Sequence, residues 1–296
     1  MRFEFVADQH VKVKTFLKKH EISKSLLAKI KFRGGDILVN GVQQNATYLL
    51  DIGDRVAVDI PSEEDTTGKL APIDYPLDLI FEDEHFLAIN KPVGYASIPS
   101  ALHSSTIANF VKGYYLKNQY ENKQVHIVTR LDRDTSGLML FAKHGYAHAR
   151  LDKQLQAKTI RKRYYALVRG RGDLGPSGDI IAPIGRPKDS IITRIVTPSG
   201  KYAHTSYKVV QSWGDVHLVD IQLHTGRTHQ IRVHFSHLGF PLLGDDLYGG
   251  SLDFGIERQA LHCQNLSFVH PFMEEQLNLT SPLPADFQAV IKKLNN

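Results

Sequence analysis

Two apolar runs, Val125-His-Ile-Val128 and Leu138-Met-Leu-Phe141, flank the segment Thr129-Arg-Leu-Asp-Arg-Asp-Thr-Ser-Gly137. A loop that carries carboxylates between two buried strands presents reactive groups on a rigid support. Three readings compete for it. Asp132, Asp134 and Ser136 followed by Gly137 match the opening of a calcium loop, but the twelve-residue spacing puts Lys143 where a bidentate Glu is required, and strands flank the loop where helices should. Asp134, Thr135 and Ser136 suit the side-chain-to-backbone hydrogen bonds of a turn. Asp132, between Arg130 and Arg133, suits a carboxylate kept ionised by neighbouring cations and used as a nucleophile or base. A carboxylate-dependent hydrolase or nuclease using Asp132 with Asp134 fits less well, because no metal ligands accompany the pair. His224, His229, His234 and His237 lack the H-E-x-x-H arrangement and stand among Arg227 and Arg232, which would repel a dication, so no metal site is expected.

The elements that must position such a loop are legible in outline. The chain has 296 residues, 42% hydrophobic and 23% charged, enough to bury one or two cores. No apolar run approaches the ~18 residues of a membrane span, and MRFEFVADQH carries acids where a secretion signal would be apolar. With the single cysteine, Cys263, this leads to an expectation of a soluble, unprocessed, cytoplasmic protein without disulfides. A monomer is the default expectation. Net charge is +5, and its distribution matters more than its sum. Lys12 to Arg33 holds eight basic residues (Lys12, Lys14, Lys18, Lys19, Lys24, Lys29, Lys31, Arg33) against Glu21. Lys143 to Arg171 holds nine against Asp152. Two such one-sided stretches point to a polyanion, RNA or DNA, as partner.

Val13, Phe16 and Leu17 recur at helical spacing, Ser23 stands as N-cap before Leu26, Leu27 and Ile30, and Gly34-Gly35 ends the second helix. Asp36 to Gln43 reads as a hairpin about Asn40-Gly41, and Arg55 to Ile60 as a further strand. PSEEDTTGKLAPIDYP reads as a linker. Beyond it, strand-like runs mix irregularly with helical patterns at 105–115, 145–155 and 228–238. The expected class is α+β: a mixed, mainly antiparallel sheet with flanking helices, preceded by a small α+β unit. The expected division is 1–62, a linker at 63–76, and 77–296.

The basic helix pair followed by GGDILVNG and DIGDRVAV resembles the small RNA-binding domain first known from ribosomal small-subunit protein four. That resemblance implies an RNA-binding surface made by Lys18, Lys19, Lys24, Lys29, Lys31 and Arg33. Over roughly 77–286 the chain resembles the RluA-type pseudouridine synthases, in the RluC/RluD-like branch. The segments that carry this are INKPVG at Ile89 to Gly94, RLDRDTSGLMLFAK around Asp132, KRYYALV at Lys162 to Val168, TGRTHQIRVH at Thr225 to His234, HLGFPLLGDDLYGG at His237 to Gly250 and LHCQNLSFVHP at Leu261 to Pro271.

This resemblance implies an enzyme that isomerises specific uridines to pseudouridine in structured RNA without a cofactor, ribosomal large-subunit RNA being favoured and transfer RNA second. The rival is a non-catalytic RNA-binding ribosome assembly factor. Asp132 matches the family's catalytic aspartate, acting by nucleophilic attack or by removing a ribose proton. Tyr164 matches the active-site tyrosine, which would stack on the uracil and take its carbon 5 proton, while Tyr165 on the opposite strand face packs. Arg232 matches the arginine paired with the aspartate. Arg130 matches the residue that fills the gap left by a flipped nucleotide, offsetting the few kcal/mol that unstacking costs. Thr129 stands where the family commonly has His.

Overall fold

In the computed structural model, described at residues 1–63, 68, 70–101, 103–190 and 192–296, the chain forms two main sheets that share packing, and a further two-stranded one. Strand β1 (Arg2–Val6) precedes helices α1 (Val13–Lys19) and α2 (Lys24–Phe32), then strands β2 (Asp36–Val39), β3 (Val42–Gln43) and β4 (Arg55–Asp59). Ser23 caps α2 by accepting the Leu26 N–H at 3.1 Å. Asn40 and Gly41 both take positive φ, as the two-residue turn requires. The order in this sheet is β1-β4-β2-β3. Strand β1 was not foreseen, although Arg2-Phe-Glu-Phe5 alternates as a half-buried strand does; its pairing with β4 runs from Arg2↔Asp59 to Val6↔Arg55.

There follow β5 (Leu79–Glu82), β6 (Phe86–Lys91), α3 (Ile107–Lys117), β7 (His126–Ile127), β8 (Ser136–Ala142), α4 (Gly145–Gln156), β9 (Arg161–Arg169), β10 (Ser177–Ile181), β11 (Ile184–Gly185), β12 (Ile195–Val196), β13 (His204–Trp213), β14 (Val216–Leu223), α5 (Gln230–His237), β15 (Leu261–Val269), β16 (Gln276–Thr280) and α6 (Ala285–Asn295). The large sheet runs β10-β13-β14-β9-β15-β8-β6-β5, with β16 on β15 and β7 on β8. Every pair in it is antiparallel except β15 with β8. The α+β, mainly antiparallel class read from the sequence is the one observed.

Strand β8 is buried along its whole length because both faces are covered. Leu138, Leu140 and Ala142 share a core with Ala147 and Leu151 of α4 and Ile231 and Phe235 of α5. Met139 and Phe141 face α3 through Ile107, Phe110 and Val111. Tyr164, Ala166 and Val168 of β9 join the first core, while Leu167 packs with Phe287 and Val290 of α6 on the other face.

The expected linker 63–76 has residues 64–67 and 69 outside the described set. Of the remainder, Ile73 and Tyr75 pack on the α3 core, and the Asn109 side chain donates to the Ala71 carbonyl at 2.7 Å. Glu63 is held by the Gly145 N–H, His126 and Lys29 at 2.8, 2.7 and 3.1 Å. The small sheet closes its core with Tyr146 of α4, whose hydroxyl donates to the His20 carbonyl at 2.6 Å.

The second basic stretch corrects the charge reading. Several of its cations are committed within the fold: Lys143 to Glu82, Arg150 and Lys153 to Glu21, Arg163 to Asp220, and Arg169 to Asp215 and Asp253. A count along the chain hid this because every one of these acids lies outside the stretch.

Candidate active site

Gly137, Cys263 and Tyr164 stand in one row across β8, β15 and β9. Gly137 has φ +109°, and a Cβ there would lie 2.3 Å from the Cys263 carbonyl oxygen, so only glycine lets β8 approach β15 this closely. The segment 129–135 leaves this row and forms one wall of a cleft of ≈ 540 Å³, into which Asp132, Arg130, Tyr164 and Arg232 all open. Residues from three distant stretches of the chain, Arg130 with Asp132, Tyr164 and Arg232, are thus brought to one place.

The Asp132 carboxylate is 29% exposed, and Oδ2 lies 3.8 Å from Nη1 of Arg232. Arg232 itself is bound more tightly elsewhere: Nε and Nη2 each donate to the carboxylate of Asp245 at 2.7 Å. Its guanidinium also lies 4.9 Å from the Tyr248 ring centroid. Burial alone would lower the Arg232 pKa, but Asp245, together with Asp132 and Tyr248, raises it above the ordinary arginine value. Asp245 is fully buried and was missed in the sequence; HLGFPLLGDDLYGG showed two adjacent acids without saying which faces α5.

The clamp expected from Arg133 is not present. Its Nε and Nη2 bind the neighbouring Asp134 at 2.8–3.1 Å, so Asp132 has Arg232 as its charged partner across the cleft. The turn expected of Asp134, Thr135 and Ser136 differs as well. Thr135 accepts from Gln259 at 3.3 Å, and Ser136 already belongs to β8, its hydroxyl 2.9 Å from Nδ1 of His262.

Another cation holds the loop. Lys91, from INKPVG, is 1% exposed and donates to the carbonyls of Pro92, Arg133 and Thr135 at 2.8, 2.7 and 2.9 Å. Burial lowers its pKa to about 7, with Asp134 and Asp132 opposing. Ser97 grips the same loop, donating to the Leu131 carbonyl at 2.7 Å and accepting the Leu131 N–H at 3.1 Å. Thr129 is buried, and its hydroxyl oxygen accepts the Leu140 N–H at 3.0 Å, anchoring the start of the loop to β8.

Tyr164 is buried at the cleft floor, and Tyr165 packs on the opposite face with the α6 core. Burial, with the Cys263 thiol and Asp132 adding to it, pushes the Tyr164 phenol well above its ordinary pKa. Gln230, at the start of α5, fixes the 225–230 turn by accepting from Thr225 and the Arg227 N–H at 2.8 and 3.0 Å. Of the four histidines weighed for zinc, His234 is committed to Thr205 and the Ala182 carbonyl, His229 to the Tyr248 hydroxyl, and His237 is exposed. His224 lies instead in a group with Asp179 and His204, bridged by Ser206.

Residues 85–237 match the model of the RNA pseudouridylate synthase family, just over half of the chain. The chain belongs to this family. It is 47% identical over 286 residues to the uncharacterized RNA pseudouridine synthase YjbO of Bacillus subtilis strain 168, covering 96% of this chain and 99% of that protein. It is 35% identical over 288 residues to ribosomal large subunit pseudouridine synthase C of Vibrio cholerae, covering 92% and 89%. The fold is similar to that of human RNA pseudouridylate synthase domain containing 4, with a TM-score of 0.62 over 74% of this chain and 93% of that one, at 24% identity. The synthase therefore isomerises uridine in RNA. Among its described residues, no helix is long and apolar enough to cross a membrane.

On the helices α1 and α2 of the synthase and at the end of α2, Lys18, Lys24, Lys31 and Arg33 are exposed and make no ion pair among the described residues. Lys19 lies 3.7 Å from Asp8. Lys29 differs from the other five residues expected to form an RNA surface, because its ammonium is hydrogen-bonded to Glu63. Phe32, between Lys31 and Arg33, is 82% exposed.

Proposed function

We propose that this synthase modifies uridines of structured RNA in the cytoplasm, ribosomal large-subunit RNA first and transfer RNA second, with Asp132 as the reacting carboxylate. The observation that carries the reading is the meeting of Asp132, Arg232, Tyr164 and Arg130 in one cleft large enough for a nucleotide. The relative named for the ribosomal large subunit favours that RNA as target.

In this reading the base leaves its stack and enters the cleft, and Arg130, exposed at the rim, fills the space it vacates. Arg232 supplies a fixed positive charge beside Asp132, which attacks the sugar or removes its proton. The raised pKa of Tyr164 keeps the phenol protonated, which supports a role for its ring as a stacking surface over a role as base. The unit 1–62 adds electrostatic grip through Lys18, Lys24, Lys31 and Arg33, with Phe32 available to stack on an unpaired base.

The test is release of tritium from RNA labelled at uracil carbon 5. Wild-type protein should release it, and Asp132→Asn should abolish release while leaving RNA affinity within a few fold. Binding to total cellular RNA without release by the wild type would mean a binding factor and overturn the proposal.

A further inference from the structure

Lys162 precedes Tyr164 by two residues on β9, so both side chains lie on the same face of the sheet. That face forms the floor of the cleft lined by Asp132 and Arg232, and the Lys162 ammonium stands 5.8 Å from the centroid of the Tyr164 ring. The other cations around the cleft are accounted for. Arg232 is bound to Asp245, Arg133 to Asp134, Arg227 to the Tyr202 carbonyl, and Arg130 is exposed at the rim. The Lys162 side chain is half-buried, and its ammonium makes no hydrogen bond or ion pair among the described residues. Burial pushes its pKa down, with Cys263 and Asp132 opposing the fall and Arg130 adding to it. A partly desolvated ammonium without a hydrogen-bond acceptor is costly, and such a group at the floor of a reaction cleft is suited to a ligand that brings the acceptor with it.

The chemistry of the reaction supplies such an acceptor. When the bond between uracil nitrogen 1 and ribose carbon 1′ breaks, its electron pair stays with the base and spreads onto the two carbonyl oxygens. The sugar carbon is meanwhile satisfied either by an Asp132 oxygen or by a double bond to carbon 2′, whose proton Asp132 takes. On both routes the base passes through a state in which it carries negative charge. A cation fixed beside that charge, in a site shielded from water, is worth far more than the same cation in solvent.

We infer that Lys162 binds the target uracil through a carbonyl oxygen and stabilises the negative charge that collects on the base as it leaves the sugar. Lys162 keeps its proton throughout and transfers none. This rests on the proposed reading of the cleft as the active site.

The test compares wild type, Lys162→Met, Lys162→Gln and Lys162→Arg in single-turnover reactions on a stem-loop of the mapped target. The RNA is synthesised with uridine or 5-fluorouridine at the reacting position, and consumption of that nucleoside is followed by chromatography after digestion. Fluorine withdraws electrons and makes the base a better leaving group, less dependent on a cation. Lys162→Met and Lys162→Gln should slow the reaction on uridine by roughly a hundredfold, the scale of losing one charge-stabilising donor, with RNA affinity within threefold of wild type. On 5-fluorouridine the deficit should shrink at least tenfold, and Lys162→Arg should restore part of the rate on uridine. Equal deficits on the two substrates, a loss confined to RNA affinity, or wild-type rates in both neutral variants would each overturn the inference. Should wild type turn over no RNA at all, the active-site reading falls first and this inference with it.

Discussion

Arg232 is held by Asp245 through two 2.7 Å hydrogen bonds while it stands 3.8 Å from Asp132, so a buried carboxylate aims the charge that faces the exposed one. Asp245→Asn would leave that guanidinium without its buried, bidentate carboxylate, with only Asp132 at 3.8 Å. Removing one member of a buried pair costs about 3–5 kcal/mol, which should appear as a lowered unfolding midpoint. Pseudouridine formation should fall at least tenfold, because nothing then prevents Arg232 from swinging, while RNA affinity holds. Unfolding and single-turnover measurements on the same preparation check both; wild-type rate in a destabilised protein would show that Arg232 needs no aiming.

Lys91 does not line the cleft and yet supports the Asp132 loop through three backbone carbonyls. Lys91→Met should strand those acceptors at roughly 1–3 kcal/mol for each that water does not reach. The expected outcome is a protein with normal RNA affinity and little turnover, its 129–135 amides exchanging faster than those of β8. Unchanged exchange in that loop would contradict the assignment.

Lys18, Lys24, Lys31 and Arg33 stand exposed on the small unit. Replacing all four with Gln should weaken RNA binding and flatten its dependence on salt by roughly 0.7–0.9 in log–log slope for each phosphate no longer neutralised. Filter binding across a salt series reads this directly. Deleting 1–62 is a blunter test, since it would also strip the cover from Tyr146 and from Phe272, which stacks on Phe3 at 5.4 Å. A charge variant that binds RNA as wild type does would remove this surface from the substrate path.

Acid should loosen the junction between the two sheets. His85 Nδ1 and His144 Nε2 lie 3.0 Å apart there, and Phe3 of β1 packs on both rings. Burial lowers both pKa values, that of His144 to about 3. The unfolded chain therefore binds protons near pH 6.5 that the folded one refuses, so this stability is complete above about pH 6.5 and drains as pH falls toward about 3. Glu63, lowered to about 2 by His126, Lys29 and the Gly145 N–H against its burial, adds a loss below about pH 4.5. Urea unfolding at pH 7.5, 6 and 4.5 should show a falling midpoint, and His144→Asn should make the decline shallower. A flat midpoint over that range would refute the coupling.

Much was legible because local chemistry and tertiary structure agreed. Ser23 caps, Asn40-Gly41 turns, and the alternation at Lys162, Tyr164 and Ala166 separates the cleft face of β9 from the packed face that holds Tyr165. Residue type marked Asp132 as a candidate, and the resemblance of the surrounding motifs to a known family placed Tyr164, Arg232 and Arg130 with it before any geometry was known. What stayed hidden were pairings between distant positions. The β1 to β4 ladder, the Asp245 partner of Arg232, the triple grip of Lys91 and the capture of Arg133 by Asp134 depend on which group lies nearest in space.

By itself, then, the amino-acid order determined the α+β class, the turns and caps, and the residue types gathered for chemistry, since backbone preference and side-chain periodicity are properties of neighbours in the chain. Only the folded arrangement decided which cations are spent within the protein and which remain open to a ligand. Charges interact over a few ångströms of space, and distance along the chain says almost nothing about that.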